Sequence, residues 1–230
     1  VGVGSSRSVC VLWISDFLKG RSLQVRYGDA TSAVKDVHQG VPQGTILGPF
    51  LWRVFIEPLI EKLRAAGVDV AAYVDDLVLL ESCLEVGDGS RKLQAGVDIA
   101  CEWGAENNMV FSSDKSRLML FGTGPSGEDM EEAQSKDSPW EHPYRLGAPN
   151  EKVMMGNREL WYVAGFKYLG VILDPRLDFS AHARYTLERC EKRFAAVRRL
   201  AAASWGALSR HVRMLFSALV VSVLRYCAGV

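Results

Sequence analysis

The chain has 230 residues, 48% of them apolar, which is enough for one core-forming domain or one and a half but not for a string of domains. Lysine plus arginine equals aspartate plus glutamate at 27 each, and this zero net charge excludes a polybasic binder that works by bulk charge. Five scattered cysteines without a C-x-x-C spacing and four histidines without metal-ligand spacing argue against a zinc or disulfide framework and for reduced thiols in an intracellular protein.

The chain opens at Val1 without an initiator methionine or a charged-then-apolar leader, and reads as a fragment with no targeting segment. Residues 8–19 place Val11, Leu12, Ile14, Phe17 and Leu18 near helical spacing, with Gly20 as the stop. Ser22 to Tyr27 and Ala33 to Val37 read as two strands about Gly28-Asp29. A glycine-rich loop, Gly40 to Gly48, then opens a helix with Pro49 in its first turn; its apolar face is Leu51, Val54, Phe55, Leu59 and Leu63, and Pro58 inside it predicts a kink.

Val70 to Val74 and Leu77 to Leu80 are apolar strands joined only by Asp75-Asp76, a tight hairpin with two carboxylates at its tip. A helix over 89–108, buried through Leu93, Val97, Ala100 and Cys101, precedes strands at Val110-Phe111 and Leu118 to Phe121 that flank Lys115. A further hairpin turns about Gly156-Asn157, Phe166 to Leu173 reads as one strand, and the chain is helical from about Ser180 with a break near Gly206. The longest apolar run, Met214 to Leu224, is about half the roughly 20 residues a membrane span needs, so no membrane helix is expected.

The neutral total hides an asymmetry. Residues 181–230 carry nine basic side chains and two acids, net +7, which leaves −7 for residues 1–180. Part of that acid lies in 123–159, where eight acids meet four bases among Gly, Pro and Ser, the composition of a solvated loop. The chain therefore divides into 1–122, an acidic loop at 123–152, strands at 153–179 and a basic helical section at 180–230. No internal repeat is present, and strands first with helices last predict an α+β domain with a helical appendage.

Aspartates are ordinary turn residues, and two acids at a hairpin tip are commonly just a solvated turn. The apolar strands on either side of Asp75-Asp76 point instead to a hairpin packed on both faces within a sheet, where paired carboxylates repel and a divalent cation relieves them. Mg²⁺ takes one or two carboxylates and completes its shell with water and phosphate oxygens, so the matching chemistry is phosphoryl transfer.

Tyr73-Val74-Asp75-Asp76 resembles the Y-x-D-D box of reverse transcriptases, and Gly40-Val41-Pro42-Gln43-Gly44 resembles their G-x-P-Q-G motif in the right order and spacing. Trp103 to Lys115 is similar to the helix-then-lysine motif that follows, and Phe166 to Asp174 (FKYLGVILD), with His182 beyond, is similar to the primer-grip stretch of non-LTR, LINE-type retrotransposons. Group II intron maturases and telomerase-like polymerases share the Y-x-D-D box, but the F-K-Y-L-G-V-x-L-D stretch favours the retrotransposon. The resemblance covers roughly residues 10–230.

It implies a right-hand polymerase palm with an antiparallel sheet, then a helical thumb-like section, with fingers absent. It also implies an RNA template, a DNA primer, deoxynucleoside triphosphates, two Mg²⁺ or Mn²⁺ ions, no membrane, and a nuclear location. By the same resemblance Asp75 is the direct metal ligand and Asp76 the weaker partner. Gly40, Pro42, Gln43, Gly44 and Tyr73 lie by the nucleotide and template, and Lys115 neutralises the leaving pyrophosphate or serves only as a solvated loop lysine. Tyr168 and Leu169 with Gly170 form the strand turn on which the primer rests, or the aromatics there are plain core, and Arg184, Arg189, Lys192, Arg193, Arg198 and Arg199 track phosphates, or form a solvated helix face.

The family also uses a D-x-x-x-A-F-D motif before the first helix, and the chain contains none; Asp16 lies on the predicted helix and does not substitute. Gly48 stands where serine is usual, and Trp52-Arg53 where Phe-Asn is frequent. Two readings follow: part of an RNA-directed DNA polymerase, or a catalytically silent remnant that at most binds nucleic acid.

Overall fold

The computed structural model describes residues 3–122, 131–132, 143–145, 152–201, 206–226 and 228. It is a mixed fold of helices and small antiparallel sheets, divided into two compact units, Val1–Leu80 and Glu81–Val230. Among the described residues no helix is long and apolar enough to cross a membrane.

In the first unit, α1 (Val3–Leu18) ends before Gly20, whose φ of 60° stops the helix as expected. β1 (Arg21–Leu23) pairs with β4 (Lys35–Val37), and β2 (Arg26–Tyr27) pairs with β3 (Ala30–Thr31) across Gly28-Asp29. The two longer strands predicted here are thus broken into short pieces. Ala33 and Val34 are outside any strand, because Ser32 interrupts the ladder by accepting from the Val25 amide through its hydroxyl.

α2 (Gly48–Ala65) carries Pro49 in its first turn and runs past Pro58 as one helix. Its buried residues are Ile56, Leu59, Ile60 and Leu63, an i, i+3, i+4, i+7 stripe; Val54 and Phe55, expected on that face, are exposed. Leu59 and Leu63 are fully buried, each contributing about 2 kcal/mol of apolar transfer. Gly67, at φ 78°, closes the helix, and Val68 returns its N–H to the Leu63 carbonyl at 3.1 Å. α2 packs on β5 (Asp69–Tyr73), which pairs with β6 (Asp76–Leu80). That hairpin is a two-stranded sheet with Ala71, Ala72, Tyr73 and Val74 exposed, so the expected packing on both faces is not found. Apolar strand composition alone did not reveal that residues 71–74 of this hairpin are exposed.

The second unit is built on α3 (Val86–Glu106), which buries Val97, Ala100 and Trp103. Its first turns approach their neighbours closely: a Cβ on Gly89 would lie 2.6 Å from Cys83 Sγ. Gln94 acts like an extra strand residue, its Nε2 donating to the Met154 carbonyl at 2.9 Å and its Oε1 accepting from the Met154 amide at 2.6 Å. Buried Ser90 and Tyr162 share a 2.9 Å hydrogen bond between their hydroxyls, which satisfies both.

The predicted strands at 110–111 and 118–121 are absent. Residues 112–116 instead curl into a turn, with Ser116 N–H donating to the Ser112 carbonyl at 3.0 Å, and Leu118 makes a single parallel bridge to Tyr162. Most of the acidic loop lies outside the described residues. Within it, however, β7 (Glu131–Glu132) and β8 (Pro143–Arg145) are strands, and β8 pairs with β11 (Tyr162–Val163). β9 (Met154–Met155) and β10 (Arg158–Glu159) form the hairpin expected about Gly156, which has φ 61°.

The single strand expected over 166–173 is a tight hairpin, β12 (Phe166–Tyr168) against β13 (Val171–Leu173). Leu169 and Gly170 both adopt positive φ, 46° and 87°, which reverses the chain. Helices follow: α4 (Ser180–Leu200), α5 (Ser209–Phe216), a π-helical turn (Ser217–Val221) and α6 (Ser222–Arg225). A π turn replaces the i→i+4 bonds of the α ladder with i→i+5 bonds. Here α4 supplies donors, Arg193 to the Leu219 carbonyl at 3.0 Å and Cys190 Sγ to the Val220 carbonyl at 3.9 Å. Among the described residues the strands lie in separate sheets of two or three, rather than one extended antiparallel palm sheet.

Candidate active site

The acid pair sits on a two-residue turn. Tyr73 pairs with Asp76, leaving Val74 and Asp75 to reverse the chain. Val74 has φ 55°, a left-handed conformation that costs a β-branched residue about 1–3 kcal/mol. Asp75, Asp76 and Tyr73 are all exposed, so the carboxylates project toward solvent and not into the core. The indole N–H of Trp52 donates to the Val74 carbonyl and ties α2 to this turn.

The glycine loop leads into the same helix. Gly40 and Gly44 have φ 77° and 85°, the conformation for which glycine is the default residue. Thr45 Oγ1 donates to the Pro42 carbonyl at 2.9 Å, and a Cβ on Gly48 would come within 3.3 Å of that same Oγ1. Pro42, Gln43 and Gly44 are exposed. The first unit therefore contains both the loop at the start of α2 and the acid turn that Trp52 of α2 reaches.

Adjacent carboxylates are hard oxygen donors of the kind Mg²⁺ and Mn²⁺ accept alongside water and phosphate oxygens. Asp75 and Asp76 fit such an ion as a partial ligand set. Among the described residues no group of three or more His, Cys, Asp or Glu gathers at one place.

Lys115, Tyr168, Leu169, Gly170 and the six basic residues of α4 belong to the second unit. Lys115 is exposed, and its amide donates to the Ser112 carbonyl at 3.2 Å. Tyr168 is half-buried at the end of β12, while Leu169 and Gly170 form the turn itself. Tyr226, beyond α6, donates from its hydroxyl to the Leu169 carbonyl at 2.6 Å.

The basic residues of α4 separate into two groups. Arg189 lies 5.3 Å from the Tyr185 ring centroid, and Arg193 caps the Leu219 carbonyl, so both are engaged within the fold. Arg184, Lys192, Arg198 and Arg199 are exposed; at about 100° per residue Arg184, Lys192 and Arg199 fall on one arc. Lys167 Nζ donates to Tyr185 Oη at 2.8 Å, and this bond, followed by the positive charge of Lys167 and Arg189, holds the phenol below its ordinary range.

Sequence reasoning missed four residues that fix these turns. Trp52 stood out there only as an unusual residue, and Tyr226 lies 57 positions from the carbonyl it binds. Asp174, read only as part of the F-K-Y-L-G-V-x-L-D stretch, accepts from the amides of Arg176, Asp178 and Phe179 at 3.1, 3.1 and 2.8 Å. His182 Nδ1 accepts from the buried Ile172 amide at 3.3 Å, tying β13 to α4. The Asp174 signal was an Asx-type turn before a helix; the others depend on tertiary contacts.

The family model for reverse transcriptase (RNA-dependent DNA polymerase) matches residues 4–173. The chain is 27% identical over 219 residues, 95% of its length and 19% of the relative's, to a 115 kDa protein in type-1 retrotransposable element R1DM of Drosophila melanogaster. It is 28% identical over 174 residues to the RNA-directed DNA polymerase from mobile element jockey of Drosophila funebris, covering 74% of this chain and 17% of that one. A Pol polyprotein of type-1 retrotransposable element R1 from Bradysia coprophila, described as retrovirus-related, is 27% identical over 225 residues, 95% of this chain and 20% of its own. The chain thus spans about a fifth of the length of these relatives. No solved structure matches it. The Y-x-D-D turn, the glycine loop and the F-K-Y-L-G hairpin all lie within the matched span, and the chain belongs to the reverse transcriptase (RNA-dependent DNA polymerase) family, its similarity running to members from non-LTR retrotransposons.

Proposed function

We propose that this chain is the acid-bearing and primer-holding part of an RNA-directed DNA polymerase of a non-LTR retrotransposon, adding deoxynucleotides to a DNA primer on an RNA template. In right-hand terms, 1–122 is palm, 153–179 the primer grip and 180–230 the start of a thumb. The observation that carries the reading is the exposed Val74-Asp75 turn, where Asp75 and Asp76 follow one another as solvent-exposed residues on a hairpin backed by the helix that follows the glycine loop.

A divalent cation bound there supplies Lewis-acid stabilisation of charge on the phosphoryl group in transfer. Asp75 and Asp76 hold it, and the Gly40–Gly44 backbone, free of Cβ obstruction at both ends, approaches the nucleotide. Gln43 and Tyr73 lie against the base and template. Lys115 neutralises the departing pyrophosphate, and the exposed Arg184, Lys192, Arg198 and Arg199 follow duplex phosphates. Target-primed copying of chromosomal DNA places this work in the nucleus.

Two carboxylates leave an ion loosely held, so the isolated 230 residues are expected not to polymerise. Mg²⁺-dependent primer extension by this chain alone, abolished by Asp75→Ala, overturns that expectation. The polymerase reading is tested in a polypeptide extended upstream to include a D-x-x-x-A-F-D motif: extension on an RNA template that Asp75→Ala abolishes supports it. A reading frame closed by stop codons directly upstream supports the silent remnant instead.

A further inference from the structure

The turn that carries Asp75 contains a residue ill suited to it. Val74 holds φ 55°, where glycine sits freely and a β-branched side chain does not. Such a conformation persists only where surrounding contacts determine it, and here the contact is identifiable: Trp52 Nε1–H donates to the Val74 carbonyl across 22 positions of sequence. The Trp52 indole is itself steadied by the Phe55 ring, with centroids 5.8 Å apart. The Val74 carbonyl and the Asp75 nitrogen share one planar peptide, so a bond to that oxygen restrains the backbone from which the Asp75 side chain departs.

We propose that Trp52 is a positioning residue for the acid turn: its indole N–H clamps the Val74–Asp75 peptide in the left-handed turn and thereby fixes Asp75 beside Asp76. The proposal rests on the reading of that pair as cation ligands. It explains why valine is tolerated where the turn favours glycine. It also gives tryptophan at 52 a use that phenylalanine, lacking a donor, does not serve.

The test compares Trp52→Phe, Val74→Gly and the double variant with wild type in the purified chain, with Mn²⁺ as the probe. Trp52→Phe keeps a packed ring but deletes the donor; Val74→Gly removes the strain that makes a clamp necessary. Mn²⁺ affinity, read by electron paramagnetic resonance, is expected to fall about fivefold in Trp52→Phe, the equivalent of one hydrogen bond, and to return in the double variant. Hydrogen exchange across 69–80 is expected to speed up in Trp52→Phe and to slow again when Val74→Gly is added. Equal losses from Trp52→Phe in the valine and glycine backgrounds, in affinity and exchange alike, overturn the clamp and leave Trp52 as packing only. If wild type shows no Mn²⁺ binding that Asp75→Asn removes, the cation reading fails by itself, and the exchange data decide the clamp: exchange in Trp52→Phe no faster than in wild type overturns it.

Discussion

The Tyr226 hydroxyl donates a 2.6 Å hydrogen bond to the Leu169 carbonyl, and the same ring covers Gly170 so closely that a Cβ there would stand 2.9 Å from Tyr226 Cε1. Gly170 is therefore required twice, once for its φ of 87° and once for the space the ring occupies. Gly170→Ala is expected to cost about 1–3 kcal/mol in urea unfolding. Tyr226→Phe, which keeps the ring, is expected to cost about 1 kcal/mol. Tyr226→Ala should recover the clash part of the Gly170→Ala cost but not the backbone part, so the two substitutions should be non-additive. Additive losses would mean that the ring and the glycine do not meet.

Asp174 is the hinge between that hairpin and α4. Its two carboxylate oxygens take three backbone amides, and the chain can then pass through Leu177 and Phe179, both at positive φ, 54° and 56°, before the helix begins. Asp174→Ala is expected to destabilise the second unit by about 1–3 kcal/mol, with Asp174→Asn milder because one oxygen still accepts. Asp178 adds an acid dependence: its hydrogen bond from the Ser180 amide, 2.8 Å long, holds its carboxyl below the usual range. A depressed carboxyl stabilises the fold above its unfolded value and loses that contribution as pH falls through the folded one. Helical signal from the start of α4 should therefore decline in acid below about pH 4, and Asp178→Asn should remove that part of the decline.

Local signals were legible where one residue decides the backbone. Gly20, Pro49 and Gly156 mark helix and turn boundaries through φ or a missing donor, and the helix of 86–106 shows in its apolar period. The acid turn was legible as a motif, but its register was not. The sequence put Asp75-Asp76 at the tip, whereas Asp76 pairs with Tyr73 and the chain reverses through Val74 and Asp75, because Val74 takes a positive φ that its residue type does not announce. Burial was harder to read. The α2 face is turned toward Ile56 and Ile60 because β5 lies there, and periodicity alone does not choose between neighbouring stripes. Phe166 to Leu173 looked continuous because Leu169 is an ordinary strand residue; its positive φ is supported by Tyr226, far away in sequence. Likewise the basic row of α4 looked uniform, whereas Arg193 answers to a π turn 26 positions on.

The cysteines should differ in reactivity. Cys10 and Cys83 are exposed, Cys101 is half-buried with its thiol pushed up, first by desolvation and then by the charge of Asp98, and Cys190 is buried against the Val220 carbonyl. Thiolate is the reactive form, so a raised thiol reacts more slowly at a given pH. Timed alkylation of the native chain followed by peptide mass analysis should label Cys10 and Cys83 first, Cys101 later and Cys190 only on unfolding. Early labelling of Cys190 would show that the α4 contact with the π turn opens readily.

Tyr185 should ionise below the ordinary phenol range. Lys167 donates to its oxygen and sits 4.8 Å from its ring centroid, with Arg189 at 5.3 Å, so the phenolate finds positive charge already in place. The folded value is lowered relative to the unfolded one. The resulting stabilisation is therefore full only above the unfolded value near 10, fades as pH falls through the folded value, and is nil at neutral pH, where the phenol is protonated in both states. Absorbance at the phenolate band during alkaline titration should show an early transition that Tyr185→Phe removes. Lys167→Met should move that transition up toward the ordinary phenol range, and Arg189→Met should move it less, because the lysine hydrogen bond is the largest cause. A transition indifferent to Lys167→Met would assign the early phenol to another residue and separate β12 from α4 at this contact.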